Sequence, residues 1–528
     1  MDDHKSAVSG AISTEQPPSD APLILPGLTS DALRVPHDSA GSGVRQPRSK
    51  RTNKSKILTM LVALFQPPKK VGRAPSLWQS LRSIIQASWL NVLLVFIPVS
   101  WALHFAVPDK STLIFIFSFL AIIPLAKLLA FATDELSLRV GQTLAGLMNA
   151  TLGNAVELIV SIIALTKCEL SIVQSSLIGS ILSNLLLVLG MCFFAGGLRF
   201  SEQGFGSVAA QLNSSLLTIS VIGVLLPGAF HMALQGSQDL DEAVLDQNIL
   251  KTSHGVAIIL LFIYCSYLLF QLFSHKDLYN DDALPKSTEY HGANPFKFKQ
   301  LRNRLHVSRS NPGLSETERV TSPDPLDHEG SEEIRSGPLR DPEPGRMEIE
   351  EEKEEQPQMS VAVSLGLLVA ITVLVAITAE FLVDSIDGMT SGGGITKEFV
   401  GVILLPIVGN AAEHVTAVTV SVKDKVTLSL AVAVGSSIQI ALFVIPFIVT
   451  LAWILGKPLT LLFDPLESVV LFLSVLTVNY AIQDGKSNWL EGMILMCLYL
   501  ILGVTFWFYP GMSYITYLAV ENSNAEMT

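Results

Sequence analysis

From Trp89 onward the chain reads as long apolar runs separated by short polar breaks. A bilayer core takes about 20 apolar residues per helix, and by that measure the pattern predicts roughly eleven spans. Six lie at roughly 89–107, 112–132, 144–166, 171–197, 208–232 and 254–274. Five more lie at roughly 360–386, 397–421, 427–454, 464–483 and 489–509. The expected fold class is an all-α polytopic membrane protein.

The remaining segments are polar. Residues 1–88 are rich in Ser, Pro and basic side chains, including RQPRSKRTNKSK, and are expected to be a disordered tail. Within the tail, ILTMLVALF (57–65) is too short to span, and MDDHKSAVSGAIS lacks the apolar core of a signal peptide, so insertion falls to the first span. The loop 275–359 is hydrophilic and closes in the acidic run EIEEEKEEQ (348–356); a short tail, 510–528, follows the last span. Its linker-like composition predicts that deleting 285–345 preserves function. Basic residues crowd the segment before the first span, which places the N-terminus and the 275–359 loop in the cytosol.

Composition agrees with this pattern. Charged residues make up 16% of the 528-residue chain, against about 25% in soluble proteins. The formal net charge of −12 resides mainly in the loops and says little about a partner. Cys168, Cys192, Cys265 and Cys497 are scattered, form no CxxC pair and read as packing residues.

Against this apolar background two stretches stand out, TLGNAVELIVSIIAL (151–165) and IVGNAAEHVTAVTVSVKDK (407–425). At one constant offset, Gly153, Asn154, Ala155 and Glu157 fall on Gly409, Asn410, Ala411 and Glu413. The same offset carries Gly179 and Ser180 onto Gly435 and Ser436. The two Glu helices are the third and eighth spans, so they cross in opposite directions. That defines an inverted repeat of two five-helix units, 112–274 and 360–509, preceded by one extra helix at 89–107. Asn154, Glu157 and Ser161 share a helix face by their spacing, as do Asn410 and Glu413. Pro406, Gly409 and Gly153 loosen the backbone just before each carboxylate, and freed carbonyls lining a cavity are oxygen ligands.

An ionised Glu at the bilayer centre costs about 2.5–3.5 kcal/mol on insertion scales. Two at ~6 Å repel by about 3 kcal/mol at an effective dielectric of ~20. Neither Glu helix supplies a Lys or Arg to offset this, so the counter-charge must be protons, a metal cation, or each in turn. The surrounding donors are carboxylate, Asn amide, Ser hydroxyl, Gln439 and backbone carbonyl, an oxygen set suited to a hard cation such as Ca²⁺. No Cys or His cluster of a zinc or copper site is present in this region.

With these residues in hand, the chain resembles the cation/proton exchanger (CAX) family of vacuolar Ca²⁺/H⁺ antiporters. The matching text is ELSLRVGQTLAGLMNATLGNAVELIVSIIAL, GSILSNLLLVLG, AEFLVDSIDG, GNAAEHVTAVTVSVKDK and GSSIQIALFVIPF. The resemblance implies a ten-helix transport core with one extra helix, an acidic helix between the halves, and Glu157 and Glu413 as central cation ligands. It places Ser180, Ser436, Gln439 and the Asp134–Glu135 pair near the ion path. It also implies a transporter rather than an enzyme, without a cofactor, partnered by Ca²⁺, H⁺ and the lipid of a vacuolar or other acidic-organelle membrane. No nucleic acid is expected, and homo-oligomerisation stays open.

Each residue also has a plainer reading. The glutamates could be structural, hydrogen-bonded carboxylates, although intramembrane acids that recur in a repeat are ordinarily functional. His414 is read as handling protons or orienting Glu413, against a histidine satisfied by a neighbouring helix. Asp134 and Glu135 end the second span, with Glu380 and Asp384 as approximate counterparts in the seventh; these are expected to form vestibules, against ordinary interfacial charge. Ser180 and Ser436 are read as lining the ion path, against small residues that permit close packing. The rival functions are a sodium-coupled calcium exchanger, a Mn²⁺-transporting relative, a cation channel and a membrane scaffold. Glu157→Gln and Glu413→Gln keep size but remove the titratable charge. Either is expected to abolish Ca²⁺ transport with insertion intact, and near-normal uptake in sealed vesicles would show that glutamate to be structural.

Overall fold

The computed structural model describes residues 72–234, 242–275, 287–290, 356–392 and 394–511. The expectations for the tail up to 71, the loop 291–355 with its acidic run, and 512–528 lie outside the described residues.

In chain order the elements are α1 (Leu77–Gln86), α2 (Trp89–Ala106), α3 (Ser111–Ser137), α4 (Gln142–Leu152), α5 (Ala155–Thr166) and α6 (Leu170–Gly197). Next come strand β1 (Phe200–Gly204), α7 (Ser207–Leu234), α8 (Val244–Ser274) and strand β2 (Thr288–Glu289). The second half holds α9 (Val361–Thr390), α10 (Lys397–Gly409), α11 (Ala411–Val422), α12 (Val426–Ile454), α13 (Pro465–Ala481), strand β3 (Lys486–Ser487) and α14 (Trp489–Phe508).

Among the described residues eight helices are long and apolar enough to cross a bilayer: α2, α3, α6, α7, α8, α9, α12 and α14. A ninth is reached if α10 and α11, bent by 57°, form one span. The expected 144–166 span is instead two helices, α4 and α5, and the expected 464–483 span is a helix of 17 residues. Hydropathy windows average across a helix break and so read it as continuous.

Each break falls at the GN pair. Asn154 (φ −100°, ψ 26°) and Asn410 (φ −84°, ψ 5°) lie between helices, outside helical geometry. Further local features recur at the offset that carries Glu157 onto Glu413. A π-helical turn interrupts α6 at Ser183–Val188 and α12 at Ile440–Val444. Cys168 and Asp424, at the ends of the α5 and α11 segments, both hold φ near +65° (63° and 65°), rare for residues with a side chain.

α6 and α12 are the centre of the bundle: 83% and 78% of their apolar windows are buried, against 22% for α8 and α9. Both carry apolar residues around most of their circumference, as a helix without a solvent or lipid side must, with a few Ser, Asn and Gln side chains turned to the centre. α3 lies along α9 as the most extensive helix pair, with a Ser100–Ser118 hydroxyl contact of 2.6 Å tying α2 to α3.

Three expectations change. The tail is helical at α1, because Ser76 and Gln79 close a reciprocal capping box that satisfies the first backbone N–H groups. The polar stretch before residue 254 belongs to α8 rather than to a loop. The loop also contributes order: β2 pairs antiparallel with β1, which pairs on its other edge with β3. Beside β2, the Ser287 hydroxyl donates to Asp424 Oδ1 at 2.6 Å and the Tyr290 hydroxyl to the Gly197 carbonyl at 2.6 Å. Gln203 Nε2 donates to the same Asp424 oxygen and to the Ser421 carbonyl, both at 3.1 Å. The 287–290 segment thereby pins the turn after α11 to the end of α6.

Deleting 292–345 is expected to leave transport activity unchanged. Deleting 285–345, read from composition as harmless, also removes the contacts of 287–290 and is expected to lower transport by loosening the turn after α11. Equal transport by the two deletions would show that the strand supports nothing.

Candidate functional site

The two helix breaks meet at the middle of α6 and α12. Because the backbone at Asn154 leaves the helix, its side chain reaches across to the other half: Nδ2 donates to Gln439 Oε1 at 2.7 Å, and Oδ1 accepts from the Ser436 hydroxyl at 2.8 Å. Asn410 reciprocates, donating from Nδ2 to the Ser180 carbonyl at 3.2 Å. Asn184 Nδ2 donates to Ser436 Oγ at 3.0 Å, so both halves share one polar layer.

Glu157 and Glu413 sit one turn beyond the breaks and interact electrostatically, with Ser436 and Asn184 as further polar neighbours of Glu413. Glu157 is buried and lies against Gly409. A Cβ at position 409 would come within 2.6 Å of Glu157 Oε1, which only glycine avoids. His414 Nε2 lies 3.4 Å from Ser183 Oγ at the edge of this layer.

Among the described residues, several oxygens of this layer have no hydrogen-bond partner: Glu157 Oε2, Ser161 Oγ, Asn184 Oδ1, Asn410 Oδ1 and Glu413 Oε2. Buried polar atoms are ordinarily paired, and an orphaned oxygen costs about 1–3 kcal/mol. All five are acceptors or can act as one, a donor set that fits a cation. A cavity of about 20 Å³ bordered by Glu157, Ser161, Ser176, Ser180 and Gly409 has room for about one water-sized guest. Among the described residues no three His, Cys, Asp or Glu side chains converge as a metal cluster, so the fixed charge here is the glutamate pair.

The two halves differ around this layer. A Cβ on Gly179 of α6 would lie 2.3 Å from the Val402 carbonyl of α10, whereas its counterpart, Gly435 of α12, has no such atom within 4 Å among the described residues. Packing is tight at Gly179 and, among the described residues, loose at Gly435.

Of the residues singled out in the sequence, Asn154, Glu157, Ser180, Asn410, Glu413, His414, Ser436 and Gln439 come together. The vestibule candidates do not join them. Glu135 is buried and accepts from the backbone N–H of Gln358 (2.9 Å) and Met359 (3.1 Å), which anchors the start of α9. Asp134 interacts with Lys127, whose ammonium donates to Thr416 Oγ1 at 3.0 Å. Glu380 and Asp384 pair with Lys167, the former at 3.4 Å. They occupy the end of α9 away from Glu135. Asn184, Ser183 and Lys127 escaped sequence reasoning; the available signal was a lone polar side chain within an apolar run, as in SILSNLLLV and PLAKLLAF.

The chain belongs to the sodium/calcium exchanger protein family, whose model matches residues 110–273 and 363–508, both halves of the bundle. It is 51% identical to a vacuolar calcium ion transporter of Cryptococcus neoformans, over 94% of this chain and 86% of that one. It is 40% identical to a Ca²⁺/H⁺ antiporter of Aphanothece halophytica, over 79% of this chain and 96% of that one. Among solved structures it is similar to native YfkE, with a TM-score of 0.57 and 28% identity over 80% of this chain and 100% of that chain.

Gly409→Ala adds one methyl where Glu157 Oε1 sits. It is expected to lower the initial rate of Ca²⁺ uptake by about tenfold or more, since displacing a reacting group by 1 Å is enough to cost ~10²-fold. The same change at Gly435, which meets open space, is expected to be far milder, and the reverse order would remove the assignment of a tight centre.

Proposed function

We propose that the chain is a secondary active antiporter that exchanges cytosolic Ca²⁺ for lumenal H⁺ across a vacuolar membrane by alternating access. One observation carries the reading: one oxygen of each of two carboxylates and three further oxygens are left unpartnered among the described residues at the crossing of the two halves. Buried oxygens of this kind call for a cation or for protons, and a cation–proton exchanger supplies each at a different stage. The names of the relatives at 40–51% identity support the same ions.

In this reading Glu157 and Glu413 bind Ca²⁺ between them, with Asn154, Asn410, Ser180, Ser436 and Gln439 completing or positioning an oxygen shell. His414, through Ser183, bears on the orientation of Glu413 or on the passage of protons. The recurring breaks, π-turns and positive-φ residues support two five-helix repeats of inverted topology, with α4–α5, α10–α11 and the short α13 counted as crossings to reach eleven. By the basic-residue rule the N-terminus, the β-sheet and the Asp424 turn face the cytosol. The loose packing at Gly435 then faces the cytosol, and the tight packing at Gly179 faces the lumen. Lys167 with Glu380 and Asp384, and Lys397 with Glu169 and Asp387, make the lumenal rim an ion-paired layer.

The exchange follows from competition for the same oxygens. A Ca²⁺ between two carboxylates is locally neutral, and so is the doubly protonated pair. Either neutral form can be carried through an apolar core that penalises the bare dianion. High lumenal proton activity displaces Ca²⁺ there; low cytosolic proton activity returns the pair to its charged, Ca²⁺-binding form. A sodium-coupled exchange or Mn²⁺ transport would use the same oxygen set, but no relative named above is described by either ion alone.

An inside-acid gradient across sealed vesicles is expected to drive Ca²⁺ inward without ATP and with choline replacing Na⁺. A protonophore should stop it, and added external Ca²⁺ should alkalinise the interior. Uptake that requires Na⁺, or proceeds without proton counter-movement, overturns the antiport reading.

A further inference from the structure

α1 stands directly before the first membrane-crossing helix and leaves one face unused. At about 100° per residue, Leu77, Trp78, Leu81 and Ile85 fall within an arc of about 100°. Each is at least 50% exposed. The opposite face is engaged: Ser80 is buried and its hydroxyl accepts from the Ser360 N–H at 3.2 Å, while the Ser83 hydroxyl donates to the Gln358 carbonyl at 3.0 Å. The apolar arc is therefore held outward by contacts on its back.

The position of α1 is also fixed relative to the bilayer. Only Ala87 and Ser88 separate it from α2, and Asn91 Nδ2 donates to the carbonyls of Ile84 (2.8 Å) and Ile85 (3.1 Å), closing its C-terminal end. α2 begins with Trp89 and Val92, 78% and 77% exposed, so the apolar surface of α1 runs on into that of a helix that faces lipid. A helix two residues from a span cannot leave the membrane boundary. Charge points the same way. Arg82 lies beside the apolar arc, Arg73 is exposed just before the helix, and LWQSLRSIIQ contains no carboxylate.

We propose that α1 is an interfacial helix that docks the exposed arc of Leu77, Trp78, Leu81 and Ile85 onto the surface of a bilayer containing anionic lipid. The apolar side chains enter the acyl boundary, Trp78 sits at headgroup level, and Arg73 and Arg82 meet lipid phosphates. Because the back of α1 holds Gln358 and Ser360, the docked helix braces the start of α9 against the membrane. Glu135 grips that start from the other side.

The test uses the full chain reconstituted into phosphatidylcholine vesicles with and without phosphatidylserine. Quenching of tryptophan emission by brominated acyl chains is compared between wild type and Trp78→Phe, which isolates Trp78 from the other tryptophans. Trp78 is expected to be quenched by the bromolipid and shielded from aqueous iodide, more strongly in the anionic vesicles. That difference should be lost in Leu81→Gln/Ile85→Gln, whose exposed positions leave folding intact by size-exclusion chromatography. Iodide access without bromolipid quenching overturns the proposal. Equal quenching in neutral and anionic vesicles overturns the anionic partner. Shielding that persists in detergent and disappears on dilution assigns the arc to a second copy of the chain, and overturns it too.

Discussion

Everything in this bundle is arranged around two carboxylates that water cannot reach easily and that no basic side chain of their own helices neutralises. A helix interior offers such groups nothing, because its backbone donors and acceptors are already spent on each other. The chain answers by breaking both helices one turn before the glutamates. Asn154 and Asn410 then turn their amides across the bundle, to Gln439 and Ser436 in one direction and to the Ser180 carbonyl in the other. These contacts place two oxygen-bearing turns against the two most buried helices. Among the described residues they still leave oxygens unpaired, and the proposed ion site rests on that shortfall.

The surroundings divide into what is fixed and what is loose. Around α6 and α12 the packing tolerates no added atom at Gly179 or Gly409, whereas Gly435 meets open space. Further out, fasteners made of side chains and backbone tie helix ends together: Gln203 and Ser287 on Asp424, Glu135 on the start of α9, and Lys167 on Glu380 and Asp384. Lying near helix ends, they constrain how the helices tilt while leaving the centre free to change its occupant. In the proposed antiporter, a difference in packing between two matched sides is what alternating access would use.

Much of this was legible in the sequence, because a bilayer makes the apolar pattern nearly decisive. A charged or amide side chain inside a twenty-residue apolar run has few innocent explanations, and Glu157 and Glu413 within matched GNA motifs have fewer. The eight polar residues expected at the centre do gather there. Pro406, Gly409 and Gly153 marked where the backbone loosens, but hydropathy read the third and eighth spans as continuous, since it sums composition and is blind to the φ and ψ of Asn154 and Asn410. It could not separate α1 from the tail before it, because ten residues of mixed polarity become a helix only when a capping box and a docking face support them.

Pairings between distant segments belonged wholly to the tertiary structure. Position near a helix end made Asp134, Glu135, Glu380 and Asp384 look like equivalent vestibule acids, yet their partners are a lysine, two backbone amides and another lysine. Nothing local distinguishes these fates, because a carboxylate takes its role from whatever donor the fold brings within about 3 Å. So too for residues 287–290, which read as linker until β1 supplies an open edge. The sequence determined that two intramembrane carboxylates exist and need a counter-charge, protons or a cation, since that follows from solvation alone. Which groups serve them and which merely hold the helices was decided by tertiary packing, since hydrogen bonds depend on positions that no single segment contains.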